Sequence, residues 1–171
     1  MKEQGQFIEL DTKSITEGGV FYGYASRFNE IDLGNDNIQP GAFAQSLKTR
    51  PASKVKMLLA HDPTTPIGVW TSLVEDERGL KATGQLILDT AKGRETYALL
   101  RAGALDGLSI GFKAKKESYD RNIRLLHQVD LFEISVVTFP MLPSATVSQI
   151  KQANEFSRLV DAINRAAKAL N

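Results

Sequence analysis

Cysteine is absent from this sequence, and histidine occurs only twice. The first absence excludes disulfide frameworks, thiol catalysis and cysteine-ligated metal sites. The second shortens the search for a general base. Two histidines without clustered carboxylates also make a poor metal ligand set, so neither a metal nor any other cofactor is expected. An excess of one charge is missing too, since 21 Lys+Arg against 20 Asp+Glu leave a net charge of +1. That balance gives no electrostatic reason to expect a nucleic acid or a membrane as partner. The opening "MKEQGQFIEL" has no apolar signal core, and no later apolar run is long enough to span a bilayer. A cytoplasmic protein is the expectation. What is present is ordinary for one globular domain: 171 residues, 42% hydrophobic and 24% charged.

Residues 6–10 and 20–26 ("VFYGYAS") are rich in β-branched and aromatic types and read as strands. "QPGAFAQSLKT" follows, with Pro40 suited to the first turn of a short helix and Phe43 and Leu47 on one face. "KVKMLLAH" at 54–61 reads as a strand ended by the breaker "DPTTP". Strands at 67–75 and 79–88 join through "DERG", a hairpin-type turn. Residues 89–105 have an Asp or Thr cap and apolar residues at helical spacing, which predicts a helix ending near Gly103. "LSIGFKAKKESY" alternates as a half-buried strand does, and "NIRLLHQVDLFEISVVTF" is long enough to bend and serve as two strands before "PMLPSA" breaks it. The last stretch, 147–170, sets Ile150, Ala153, Phe156, Leu159, Val160 and Ile163 on one stripe, an amphipathic helix. Strands outnumber helices and connect through turns, so a β-rich α+β barrel or sandwich with attached helices is expected rather than a βαβ sheet.

"GLSIG" at 107–111 has the spacing of a hydrolase nucleophile elbow around Ser109. Its context is wrong, because an elbow follows a strand and opens a helix. Here a helix precedes the motif and a strand follows it, so the glycines read as easing that turn. Two sets of partners remain for Ser109. One is Asp120 and His127, both downstream, as in a small esterase. The other is His61, at a strand-to-loop junction where scaffolds present reactive groups, with Glu133 as the acid. Alternation puts His127 on one face with Val129, Leu131 and Glu133. Glu133 lies inside the apolar "DLFEISVV", where a carboxylate needs a partner, either a lysine or arginine or His61.

The blocks "LLAHD…PIG", "GLSIGF" and "DLFEISVVTFPMLPSA", with "GYAS.F" and "PGAF" upstream, resemble those of the tailed-phage prohead serine proteases, relatives in fold of the herpesvirus assemblins. The resemblance runs from about Phe21 to Ala145 and implies a herpesvirus-protease-like β-barrel flanked by helices. It divides the chain into a protease domain, 1–146, and a C-terminal amphipathic helix, 147–171, that serves as core, dimer contact or self-cleaved segment. It implies His61, Ser109 and Glu133 as the catalytic set, with His127 a further candidate because assemblins use a second histidine. The implied activity is endopeptidase cleavage of scaffold segments and major capsid protein, and of the protease itself, by a homo-oligomer inside the assembling prohead in the host cytoplasm. A catalytically silent assembly scaffold or chaperone of the same fold is the alternative. Gly111 and the stretch after Glu133 are the candidate oxyanion donors.

Overall fold

A single mixed β-sheet collects eight strands among the described residues, 17–148, of the computed structural model. The predicted strand at 6–10 lies outside them. Strand β1 (Val20–Arg27) alternates inward and outward and pairs antiparallel with β5 (Gly79–Leu86), which in turn pairs with β4 (Asp62–Glu75). The β4–β5 turn is the one expected from "DERG": Asp76 Oδ1 accepts the N–H groups of Arg78 (2.8 Å) and Gly79 (3.1 Å). Strand β3 (Lys56–Leu59) lies antiparallel to β4 on its other side.

The long apolar stretch is not two strands but one, β7 (Ile123–Val137), with two neighbours along the same edge. Its first half pairs in parallel with the unpredicted strand β2 (Asp36–Ile38), and its second half pairs in parallel with β3. Strand β6 (Gly107–Asp120) runs antiparallel along the opposite edge. "DPTTP" does not break the sheet, because β4 starts at Asp62. Leu59 faces Asp62 and Leu58 faces Pro66, so the intervening residues bulge outward. The Asp62 carboxylate folds that bulge by accepting from Thr64 N–H (2.8 Å) and from the hydroxyls of Thr64 and Thr65. Prolines fit there because the bulge asks no ladder hydrogen bond of them.

Helix α1 (Ala44–Thr49) starts after a turn that holds Pro40, so Pro40 precedes the helix rather than opening it. Helix α2 (Ala91–Arg101) is capped by Thr90, whose hydroxyl oxygen accepts Gly93 N–H (3.0 Å). It ends before Gly103, which takes φ +71°, as the sequence predicts.

The sheet curls into a half-barrel flanked by these helices, and residues 145–147 span the gap between β1 and β6. Leu108 N–H donates to Ala145 O (2.8 Å), Val147 N–H to Asp106 O (3.0 Å), and Tyr24 N–H to Thr146 O (3.0 Å). Val147–Ser148 forms β8, paired with β1, and the Val147 side chain enters the core. Here the structure departs from the predicted helix start. Backbone partners on two sides hold these residues extended, which a helical repeat of apolar residues cannot reveal. The rest of the predicted helix lies outside the described residues. Inside the half-barrel, Trp70 meets Phe21 edge-on with ring centroids 5.6 Å apart, among Met57, Leu80, Leu126 and Ile134. No helix among the described residues is long and apolar enough to cross a membrane.

Candidate active site

Ala60 and His61 form the two-residue turn between Leu59 and Asp62, with φ +51° and +61°. Two-residue hairpin turns of the I′ type need this left-handed conformation at both positions, and Asn-Gly usually supplies it. Here two residues with side chains hold it, at a cost of about 1–3 kcal/mol each. The neighbouring strand β7 over-determines the turn. Ala60 N–H donates to Val136 O (3.0 Å), and His61 N–H donates to Ser135 Oγ (3.0 Å). The imidazole is thereby fixed at the mouth of the sheet, with its side chain 43% exposed.

Glu133 reaches this imidazole. Its Oε1 lies 2.7 Å from His61 Nδ1, while Oε2 accepts the Ser135 hydroxyl at 2.7 Å. Both carboxylate oxygens are therefore used, and the side chain is only 13% exposed. Of the two partners the sequence left open for this buried acid, the structure selects His61. With Nδ1 facing a carboxylate, the tautomer carrying a proton on Nδ1 is favoured, which leaves the Nε2 lone pair to accept a proton.

The aim of Glu133 depends on a β-bulge. In the β6–β7 ladder, Gly111 faces Glu133 and Phe112 faces Leu131, so Phe132 is the extra residue. Helix α1 and the residue after it stabilise the interruption. Leu131 N–H donates to the buried Ser46 Oγ (2.9 Å), and the Arg50 guanidinium donates to Leu131 O. Arg50 also pairs with Asp130 (2.8 Å) and lies over the Phe132 ring. Bulges bend a strand and redirect side chains next to active sites, and this one takes Glu133 out of phase with Leu131.

A second irregularity corrects the reading of His127. Lys116 faces Gln128 and Glu117 faces Leu126, so His127 is itself an extra residue. The expected shared face of His127, Val129, Leu131 and Glu133 does not exist. His127 is exposed, with Nε2 2.7 Å from Ser118 Oγ. It lies eight residues along β7 from Ser135, about 26 Å away at strand rise. Asp120 closes the same hairpin, eleven residues along β6 from Ser109, or about 36 Å. Neither group reaches Ser109.

Ser109 faces Ser135 directly across the ladder, and Gly111 faces Glu133. Opposed residues place their Cβ atoms on the same face about 4.5–5.5 Å apart, so the serine shares a face with the His61–Glu133 pair. Ser109 is 5% exposed and lines a cleft of about 140 Å³ with Ser26, Glu30, Asp32, Met141 and Leu142. Among the described residues no side chain or backbone group hydrogen-bonds its hydroxyl, and that oxygen is not among the buried, unpartnered ones. The Ser109 hydroxyl is therefore unengaged among the described residues.

The glycines of "GLSIG" sit inside β6 rather than at a turn into it. A Cβ on Gly111 would lie 2.2 Å from Glu133 Oε1, and one on Gly107 would lie 2.7 Å from Pro140 Cδ. Each permits a close approach across the strand, which corrects the turn reading. Leu108 N–H points away from β7, so alternation turns Gly111 N–H into the ladder with β7. That removes Gly111 from the expected oxyanion donors. Ser135 was missed altogether. Its signal was the Glu-x-Ser spacing, which puts both residues on one strand face.

Residues 8–158 match the family model described as caudovirus prohead serine protease. The chain belongs to this family. It is a capsid maturation protease of the serine type, a hydrolase of tailed-phage morphogenesis. The chain is 35% identical over 169 residues to the prohead protease of Enterobacteria phage HK97, covering 92% of this chain and 72% of that protein. In fold it is similar to the capsid assembly protease of bacteriophage T4, with a TM-score of 0.57, 14% identity, and coverage of 71% of this chain and 82% of that one. A KSHV protease bound to a hexapeptide phosphonate inhibitor gives a TM-score of 0.53 at 14% identity, over 75% of this chain and 63% of that one. The expected kinship with the herpesvirus protease fold therefore holds.

Proposed function

We propose that this prohead protease cleaves scaffold segments and the major capsid protein inside the immature shell, and cleaves itself, through Ser109, His61 and Glu133. The observation that carries the reading is the 2.7 Å contact between His61 Nδ1 and Glu133 Oε1, on the strand whose Ser135 opposes Ser109. Ser109 Oγ attacks the scissile carbonyl as His61 Nε2 takes its proton, and Glu133 stabilises the imidazolium that forms. The tetrahedral oxyanion collapses to an acyl-enzyme as the imidazolium passes its proton to the leaving amine. A water deprotonated by the same nitrogen then hydrolyses the ester, and Ser109 recovers its proton.

The test is cleavage of the major capsid protein from the same phage or prophage. Loss of a serine nucleophile is worth roughly 10⁶ in kcat, so Ser109→Ala gives no product on a gel, whereas His127→Ala cleaves at the wild-type rate. Cleavage by Ser109→Ala, or fluorophosphonate labelling of any other residue, overturns the assignment.

A further inference from the structure

Among the described residues, Ser135 is the one side chain hydrogen-bonded both to the acid and to the turn of the base. Its side chain is fully buried at 0% relative exposure, in a strand otherwise packed with Ile134, Val136 and Val137. Its hydroxyl proton goes to Glu133 Oε2 at 2.7 Å, and its oxygen accepts His61 N–H at 3.0 Å. One hydroxyl is thus donor and acceptor at once, and both of its partners belong to the proposed catalytic set.

Burial and engagement argue that Ser135 is not a second nucleophile. Its proton is already held by a carboxylate, and no face of it meets solvent. Ser109, by contrast, lines the open cleft, and its hydroxyl has no hydrogen-bond partner among the described residues.

We infer that Ser135 is a positioning residue, which locks the Glu133 carboxylate with Oε1 on His61 and pins the left-handed His61 turn to β7. The inference rests on the proposed triad and extends it to a fourth residue acting through the other two. The chemistry requires such a clamp. Glu133 has three side-chain torsions, and a carboxylate free to rotate holds the imidazole only part of the time. A hydrogen bond to the oxygen that faces away from the histidine removes that freedom. The same hydroxyl holds the backbone of His61, so acid and base keep one relative position. In sequence, the Glu-x-Ser spacing of a single strand provides this, since residues two apart share a face.

The experiment measures kcat and KM for capsid-protein cleavage by the full chain, its Ser135→Ala and Glu133→Gln variants and the double variant, with Ser109→Ala as control. A hydrogen bond to a charged group corresponds to a loss of about 10- to 100-fold, expected in kcat with KM little changed. In the Glu133→Gln background the same substitution should cost almost nothing more, because the carboxylate it positions is gone. A wild-type kcat for Ser135→Ala overturns the inference, as does an equal cost in both backgrounds. Should Ser135→Ala not melt cooperatively, Ser135→Cys takes its place in the cycle. Its thiol fills the site but donates weakly, and an unchanged kcat there is equally fatal. Cleavage by Ser109→Ala would instead sink the triad itself, so the two failures are distinguishable.

Discussion

Gly111→Ala separates what the fold tolerates from what the proposed chemistry tolerates. The added Cβ would lie 2.2 Å from Glu133 Oε1 and 2.8 Å from its Cδ and Cγ. A contact under 3 Å forces movement, and here the atoms in the way are the far end of a flexible side chain. For the fold that movement is mild. Releasing the Glu133 hydrogen bonds costs about 1–3 kcal/mol, and replacing a strand glycine by alanine returns about 0.5–1 kcal/mol. The net is about 0–2.5 kcal/mol, a fall in Tm of no more than roughly 10 °C for a chain of this size. For catalysis the displacement removes the partner of His61 Nδ1. Loss of the acid from a serine triad is worth about 10⁴ in kcat, and a displaced carboxylate is expected to lose about 10²–10⁴ of it. At 1.36 kcal/mol per decade that is about 2.7–5.4 kcal/mol of barrier, above the cost in stability throughout its range. The assay pairs a thermal melt with the initial rate of capsid-protein cleavage for wild type, Gly111→Ala and Glu133→Ala. Gly111→Ala should fall nearly to the Glu133→Ala rate while melting close to wild type. A rate within about threefold of wild type would refute the reasoning, since it would mean that Glu133 can move without consequence.

Ser46→Ala leaves the Leu131 N–H at the bulge without its partner. Burying an unsatisfied donor costs about 1–3 kcal/mol, so Tm drops measurably and kcat falls as Glu133 loses its aim; an unchanged melt and rate would show that the bulge needs no help from α1. Tyr24→Phe tests an acid-side term in stability. Burial raises the Asp76 carboxyl somewhat, but hydrogen bonds from the Tyr24 hydroxyl and from the backbone of Arg78 and Gly79 outweigh it and hold the group below the usual carboxylate range. A lowered folded-state pKa contributes stability above the unfolded value, near 3.9, that is lost as pH falls through the folded value. Chemical denaturation between pH 2 and 7 should therefore show a shallower acid slope in Tyr24→Phe, and identical slopes would dismiss the contribution.

How much of this was readable beforehand depends on whether a feature is local or tertiary. The hairpin at "DERG", the Thr90 cap and the end of α2 near Gly103 were legible because side chain and backbone settle them within a few residues. So was the apolar setting of Glu133, which forces any reader to look for a partner. The short strand β2 was not, since Asp36–Ile38 is held extended by β7 on one side and by a bridge from Asn37 to Ile31 on the other. The opening of β8 failed in the same way. Val147 repeats at helical spacing with later apolar residues, yet it is held between β1 and β6 by backbone bonds that no periodicity records.

The larger loss was phase. Alternation along "LLHQVDLFE" assumes an unbroken ladder, and β7 breaks it twice, at His127 and at Phe132. Each break shifts the side chains that follow it by one face, so a rule with period two puts His127 and Glu133 on the face of Val129 and Leu131, whereas those two are buried and His127 is exposed. What forces the second break is remote in sequence: Ser46 and Arg50, some 80 residues upstream, supply the partners that the interrupted ladder withholds from Leu131. The same remoteness explains the glycines around Ser109. Small residues beside a serine suggest a turn when only neighbours in sequence are considered, but the space at Gly111 is occupied by the Glu133 carboxylate, and that at Gly107 by Pro140. The serine could be picked out from five letters, whereas the need for those glycines is set by side chains on another strand and the loop beyond it.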